Sequence, residues 1–324
     1  MISPVSPRGD SVELDSTLAQ DAAGAPLALE LGVSGDIPGP SEPVALSQWQ
    51  LFIRRFRRHK FAIFSLFVLI VLFVLSFSAS WIAPFPKGQT DLLARNLSPS
   101  SDHWLGTDEG GRDILTDVLY GGQISLRIGI SVALVSTLLG TTFGALAGLY
   151  GKWVDQILMR LTDLFLLVPL IAVLAVALER FGKKPNTVVL VLAGLFWMQI
   201  ARVVRGLTLS LREKEFVEGA RAAGASGPRI ILRHILPNCI GPIMVNLTLQ
   251  IAVAIIAEST LSFLGFGVQR PDISWGTMLN DNRGNYENHI HTLLAPGLAI
   301  LLTVLCVNAL GDGLRDAFDP HAKH

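Results

Sequence analysis

The sequence predicts an all-α membrane protein with six transmembrane helices. Half of the 324 residues are hydrophobic, only 16% are charged, and the mean hydropathy is +0.49. A soluble chain is about a quarter charged. The apolar residues also gather in charge-free blocks long enough to span lipid, and the cations gather in clusters between those blocks. Blocks of this kind, flanked by basic clusters, are what membrane insertion and the positive-inside rule require. Formal net charge is zero, so nothing points to nucleic acid as a partner.

Residues 1–48 are rich in Pro, Gly, Ser and Ala, with seven acidic residues and one cation, Arg8. That composition predicts a disordered cytoplasmic tail, because it lacks the apolar residues to build a core. No cleavable signal pattern precedes the first span. Segment 49–86 holds an interfacial stretch (Trp49, Leu51, Phe52, Ile53), then the cluster Arg54, Arg55, Arg57, Arg58 and Lys60, then the uncharged run 61–86. The cluster fixes the N-terminal end of that first span inside, where the run serves as an uncleaved targeting signal.

Segment 87–126 reads as an external region rich in Gly, Asp and Ser. The core, 127–315, contains five further charge-free runs: 128–151, 164–178, 185–201, 234–257 and 288–311. The second of these is short, so the third span is extended back to Asp155, with Arg160 and Asp163 paired at i, i+3. Residues 316–324 form a C-terminal tail. Both termini are expected in the cytoplasm of a bacterial inner membrane, with seventeen of the 26 Lys and Arg residues inside and nine outside. Arg180, Lys183 and Lys184, in a short outer loop, run against the rule. The last outer segment, 267–287, carries Pro271, Trp275, Asn280, Asp281 and Asn282 and joins 87–126 as a surface for an external partner.

Several chemistries are disfavoured. No GxxxxGK followed by Ser or Thr occurs, so no phosphate cradle is present. No HExxH or GxSxG occurs either. Cys239 and Cys306 fall in predicted spans without ligand-like spacing and read as small buried hydrophobes. His289 and His291 make an HxH pair near Glu287, but no cluster completes a metal shell, and a solvated loop is the better reading.

Three constellations stand out. Gly140, Gly144 and Gly148 lie at intervals of four and give the second span a face for tight packing, within the bundle or against a partner permease. Asn246, Gln250 and Glu258 lie near one face of the fifth span. An intramembrane carboxylate is a functional candidate by default, so Glu258 either lines the solute path or its outer gate, or fixes the bundle through an interhelical hydrogen bond. The third is a basic break between two apolar blocks, with Arg202, Arg205, Arg212, Lys214, Arg221, Arg229 and Arg233. Residues 213–223 suit a short helix of small residues that Gly224 can end. Ser226 and Pro228 suit the start of a second helix running into Leu236 and Pro237.

The chain from about residue 49 to 320 resembles the permeases of the dipeptide, oligopeptide and nickel class of binding-protein-dependent ABC importers, and within them the C-type member of the pair. The segments RRFRRHK, HWLGTDEGGRDILTDVLYGGQISLRIG, GKWVDQILMRLTDLFLLVP, LSLREKEFVEGARAAGAS, RHILPN, ESTLSFLGFGVQRPDISWGTML and GDGLRDAFDP carry the resemblance, in order and at matching spacing. It implies a type I ABC importer permease fold with a cytoplasmic EAA coupling helix in loop 207–237. The ATPase-coupling residues so implied are Glu215, Glu218, Gly219, Ala220, Arg221, Ala222, Ala223, Gly224, Leu236 and Pro237. Gly219 departs from the usual alanine and softens the helix, Pro228 is unusual, and the acidic tail lies outside the resemblance.

The implied partners are a second homologous permease, two ABC ATPases, an external solute-binding protein and the lipid bilayer. This chain is expected to be non-catalytic and to bind no cofactor, the ATP and Mg being used by the ATPases. The expected cargo is short peptides. Nickel or another small solute is the alternative within the class. An autonomous channel, or a proton-coupled carrier using Glu258, is the alternative outside it.

Overall fold

A computed structural model describes residues 48–167, 169–284 and 289–318; the acidic tail, residues 319–324 and Glu287 beside the histidine pair lie outside them. The described residues are helical, with no strand beyond one isolated bridge between Thr107 and Asp113. The helices are α1 (Gln48–Phe56), α2 (Lys60–Phe77), α3 (Ala79–Ile82), α4 (Ile114–Tyr150), α5 (Lys152–Leu166), α6 (Leu170–Phe181) and α7 (Pro185–Arg212). They continue with α8 (Glu215–Ala222), α9 (Gly227–Ile230), α10 (Leu236–Phe263), α11 (Trp275–Asn282) and α12 (His291–Phe318). A five-residue π-helix, Ile231–Ile235, joins α9 to α10.

Among the described residues, five helical stretches are long and apolar enough to cross a membrane, and the bent pair α5–α6 passes the same test when its two helices are taken together as one span. Contacts at the two ends of the bundle fix the order of crossing. One end, the basic end, gathers α1, the α4–α5 junction, α8 and the C-terminal turn of α12. There the Phe52 and Phe318 rings meet at a tilt, centroids 4.4 Å apart, and the Arg212 guanidinium donates to the Gly148 carbonyl. The other, the cap end, gathers segment 83–113, the α6–α7 junction and α11. There Lys183 donates to the Gly265 carbonyl at 3.2 Å, and Gln123 to the Ser76 carbonyl at 2.9 Å. Successive crossings by α2, α4, α5–α6, α7, α10 and α12 therefore alternate.

Several boundaries move from their expected places. α4 begins at Ile114 rather than near residue 127, so the last part of the supposed external segment is helix. Its polar start is misleading because tertiary contacts satisfy it. The Asp113 side chain caps it by accepting the Thr116 N–H, and Asp117 pairs with Arg270. The third span is not a straight helix from Asp155: α5 and α6 meet at 89°. Pro169, the N-cap of α6, has no N–H to continue a helix across the break. The expected pair Arg160–Asp163 is replaced by Asp163 with Arg202, and Asp155 binds Arg205 with both oxygens. These two arginines thereby extend α7 well past Ala201. Of the three outer cations, Lys183 is paired, bonding Glu179 at 2.7 Å.

The glycine face packs within the chain. A Cβ on Gly140, Gly144 or Gly148 would come within 2.6, 2.5 and 2.5 Å of Trp197, Ala201 and Thr208 respectively, all on α7. Backbone approach of this kind lets two helices gain dispersion contacts where lipid offers no hydrophobic drive. The main core of buried apolar residues, including Ile128, Val132, Leu174, Leu178, Val188, Leu192 and Leu261, lies where α4, α6, α7 and α10 meet near the cap end. α2 stays at the periphery, with Phe61 77% and Phe67 63% exposed, as lipid contact would leave them.

Candidate functional site

The basic end presents a short helix on a narrow base. α8 spans eight residues, of which only Val217 is buried. Val217 packs with Ile230, Ile235 and Cys239, and against Leu207 and Leu211 of α7. Glu215, Phe216, Glu218, Gly219, Arg221 and Ala222 are exposed, as are Ala223 and Gly224 just beyond, while Ala220 is half-buried. Glu215 and Glu218 stand in the first turn and Arg221 in the last, each at the end whose dipole favours its charge.

The end of α8 is built to be sharp. Gly224 has φ +81°, the left-handed conformation that glycine adopts at little cost. The Ala225 N–H donates to the Ala220 carbonyl and the Gly224 N–H to the Arg221 carbonyl, both at 3.0 Å. That pair of bonds is the Schellman pattern. The chain then enters α9, where a Cβ on Gly227 would come within 2.4 Å of the Tyr150 hydroxyl.

The second helix runs into Leu236 and Pro237, as the sequence implied, and does not stop there. They form the first turn of α10, so the chain runs from Gly227 to Phe263 without a break. Pro237 lacks an N–H, and its ring crowds the carbonyl four residues back. The backbone widens into the π-helix just before it, and the Leu236 N–H reaches the Ile231 carbonyl instead. The surface segment between α7 and the continuous helix is thus shorter than 207–237, covering 213–226.

Near the far end of α10, Glu258 is fully buried. Its carboxylate accepts from Ser262 at 2.7 Å and from Ser125 and Ser259 at 3.4 Å. Ser125 belongs to α4, and its hydroxyl also accepts the Trp275 N–H of α11 at 3.1 Å. Glu258 is therefore a junction between three helices. A carboxylate enclosed in this way cannot face a solute path in the same conformation. Gln250 is also buried, whereas the half-buried Asn246 turns its amide back to the Pro242 carbonyl. These three residues share a helix face but form no common polar site.

The cap end holds a charge cluster that sequence spacing did not reveal. Arg270 donates to Asp281 at 2.8 Å and to Asp117 at 3.1 Å, while Arg112 binds Asp108 at 2.7 Å. Burial works against the Arg270 charge, but Asp117 and Asp281 outweigh it and hold its pKa above the ordinary arginine value. The partners lie 11 and 153 positions away, so no local motif announces the cluster. His289 and His291 meet edge to face at 5.8 Å, and the described residues contain no group of three or more metal-ligating side chains.

Residues 140–324 match the family of binding-protein-dependent transport system inner membrane components. The chain belongs to that family. Residues 47–99 match a second model, the N-terminal transmembrane domain of oligopeptide transport permease C. The match agrees with the helical bundle and its apolar crossings: this is a multi-pass inner-membrane permease of the type I importer fold. Its relatives include the oligopeptide transport system permease protein OppC of Mycobacterium tuberculosis, 41% identical over 86% of this chain and 96% of the relative. Another is the dipeptide transport system permease protein DppC of Alkalihalophilus pseudofirmus, at 36% over 88% and 96%. A third is the glutathione transport system permease protein GsiD of Pectobacterium atrosepticum, at 42% over 85% and 92%. Within this permease the family match covers α8, the π-helix, Glu258, Arg270 and Asp281, whereas residues 100–139, with Asp108, Arg112 and Asp117, and the acidic tail up to residue 46 lie outside both matches.

Proposed function

We propose that this chain is the membrane subunit of an ATP-driven importer of short peptides, and that α8 is its docking helix for a cytoplasmic ATPase. The observation that carries this reading is the form of α8: a helix exposed almost all round, stiffly ended, and seated by Val217 on the start of an unbroken helix. A groove on a partner can grip such a helix without displacing core. The peptide cargo rests on the oligopeptide, dipeptide and glutathione relatives, which disfavour nickel.

The mechanics follow from rigidity. A displacement of α8 bears on Ile230 and Ile235 beneath Val217, and so on the start of α10. From Leu236 to Glu258 the helix extends about 33 Å at about 1.5 Å per residue. At that point the serine junction ties it to α4 and α11. Movement at the basic end is thereby delivered to the cap end, where an external solute-binding protein hands over peptide. The assembly contains a second permease and two ATPases. ATP and Mg act on the ATPases and no cofactor on this chain, and both termini face the cytoplasm.

Substituting Glu218→Arg or Gly224→Trp should leave insertion intact while abolishing ATPase co-purification and ATP-driven uptake of a labelled dipeptide in vesicles. Normal uptake by both variants would sink the docking role. Accumulation that survives inactivation of the partner ATPase would instead favour an autonomous channel or carrier.

A further inference from the structure

At the basic end, α1 shows two different sides. Phe52 and Phe56 turn inward, Phe52 onto Phe318 at the end of α12. The other side is a ridge of Gln50, Ile53 and Arg54, continued by Arg57 and Arg58 beyond the last turn. These five residues line a shallow concavity of about 410 Å³. Arg54, Arg57 and Arg58 are exposed and have no ion pair among the described residues. The nearby Asp316 is held by His59 at 3.6 Å.

We infer that this concavity binds the phosphate headgroup of an anionic phospholipid. Three observations point to lipid. The ridge ends where the lipid-facing helix α2 begins, and Phe61 and Phe64, 77% and 62% exposed, lie in its first two turns along the path of the acyl chains. The cations are arginines, whose planar fork suits phosphate oxygens. Finally, the inward side of α1 is already packed, so a lipid on the outer side completes an interfacial helix rather than replacing a protein contact. Headgroup binding would pin α1 against α12, joining the first crossing to the last.

The test is lipid retention on the full-length chain, measured by native mass spectrometry during titration with phosphatidylglycerol or phosphatidylcholine. The wild type should keep phosphatidylglycerol selectively. Near an anionic surface each arginine contributes roughly fivefold, so Arg54→Gln/Arg57→Gln/Arg58→Gln should weaken binding roughly a hundredfold. The triple lysine variant should lose much less. Equal retention of the two lipids by the wild type would overturn the assignment, and that comparison stands even if the glutamine variant fails to insert. Displacement by inorganic phosphate at the lipid's concentration would mark a free-anion site and overturn it as well. So would cross-links from the ridge to the acidic residues between Asp10 and Glu42 that block lipid, since these would give the ridge to the chain's own tail.

Discussion

Two glycines five positions apart in α8 and its cap should respond to the same substitution with opposite sign. Gly219 lies in the middle of the helix, and a Cβ added there meets nothing within 4 Å. Alanine should therefore stabilise α8 by about 0.5–1 kcal/mol. Gly224 is just as open, but its φ is +81°, so crowding plays no part and only the backbone decides. Alanine in the left-handed region costs about 1–2 kcal/mol. It would loosen the bonds from Ala225 to Ala220 and from Gly224 to Arg221. The two variants should thus differ by about 2 kcal/mol, roughly thirtyfold in local opening. Hydrogen exchange of a peptide covering 213–226, measured on the permease in nanodiscs, reads this directly. Gly219→Ala should exchange more slowly than wild type and Gly224→Ala faster. If both shifted the same way, the Schellman end would not be what shapes this helix. Loss of uptake in a better-ordered Gly219→Ala would mean that the ATPase groove has no room for the added methyl.

Other expectations follow from packing and charge. Gly144→Leu puts a side chain where the Ala201 carbonyl already stands; it should destabilise the α4–α7 contact by about 1–3 kcal/mol, seen as a lower unfolding temperature in detergent. Glu258→Ala leaves buried hydroxyls without an acceptor and should cost about 2 kcal/mol or more, whereas Glu258→Gln keeps an acceptor and should cost less; equal losses would count against the junction. Arg270→Met strands the buried Asp117 and should cost about 3–5 kcal/mol, read as faster proteolysis of the cap. Because the Arg270 pKa is raised, its contribution is complete at neutral pH and is lost only as pH rises through that high value. A scan around neutrality should show no step from this group.

Some of the site was legible because its causes are local. The glycine spacing of α4 and the glycine end of α8 are written within one or two helical turns, and the structure has both. The Glu258 junction was half legible: an intramembrane carboxylate stands out, but Ser125 lies 133 residues away and no spacing rule pairs them. The early start of α4 was hidden for a similar reason. Asp117 and its neighbouring polar residues read as external loop until Arg270 is brought beside them. The 89° bend at Pro169 falls inside an apolar stretch that, by hydropathy alone, is one span.

By itself the sequence determined the apolar blocks, the basic clusters between them, and the small residues and glycines of the exposed segment. Solvation and backbone preference act residue by residue, so these need no knowledge of the fold. Only the tertiary structure decided that Leu236 and Pro237 continue a helix, that α7 and not a partner fills the glycine face, and that Glu258 is enclosed by serines from distant helices. Each depends on which surfaces meet, and the cost of an unpaired polar group or an added methyl exists only once they do.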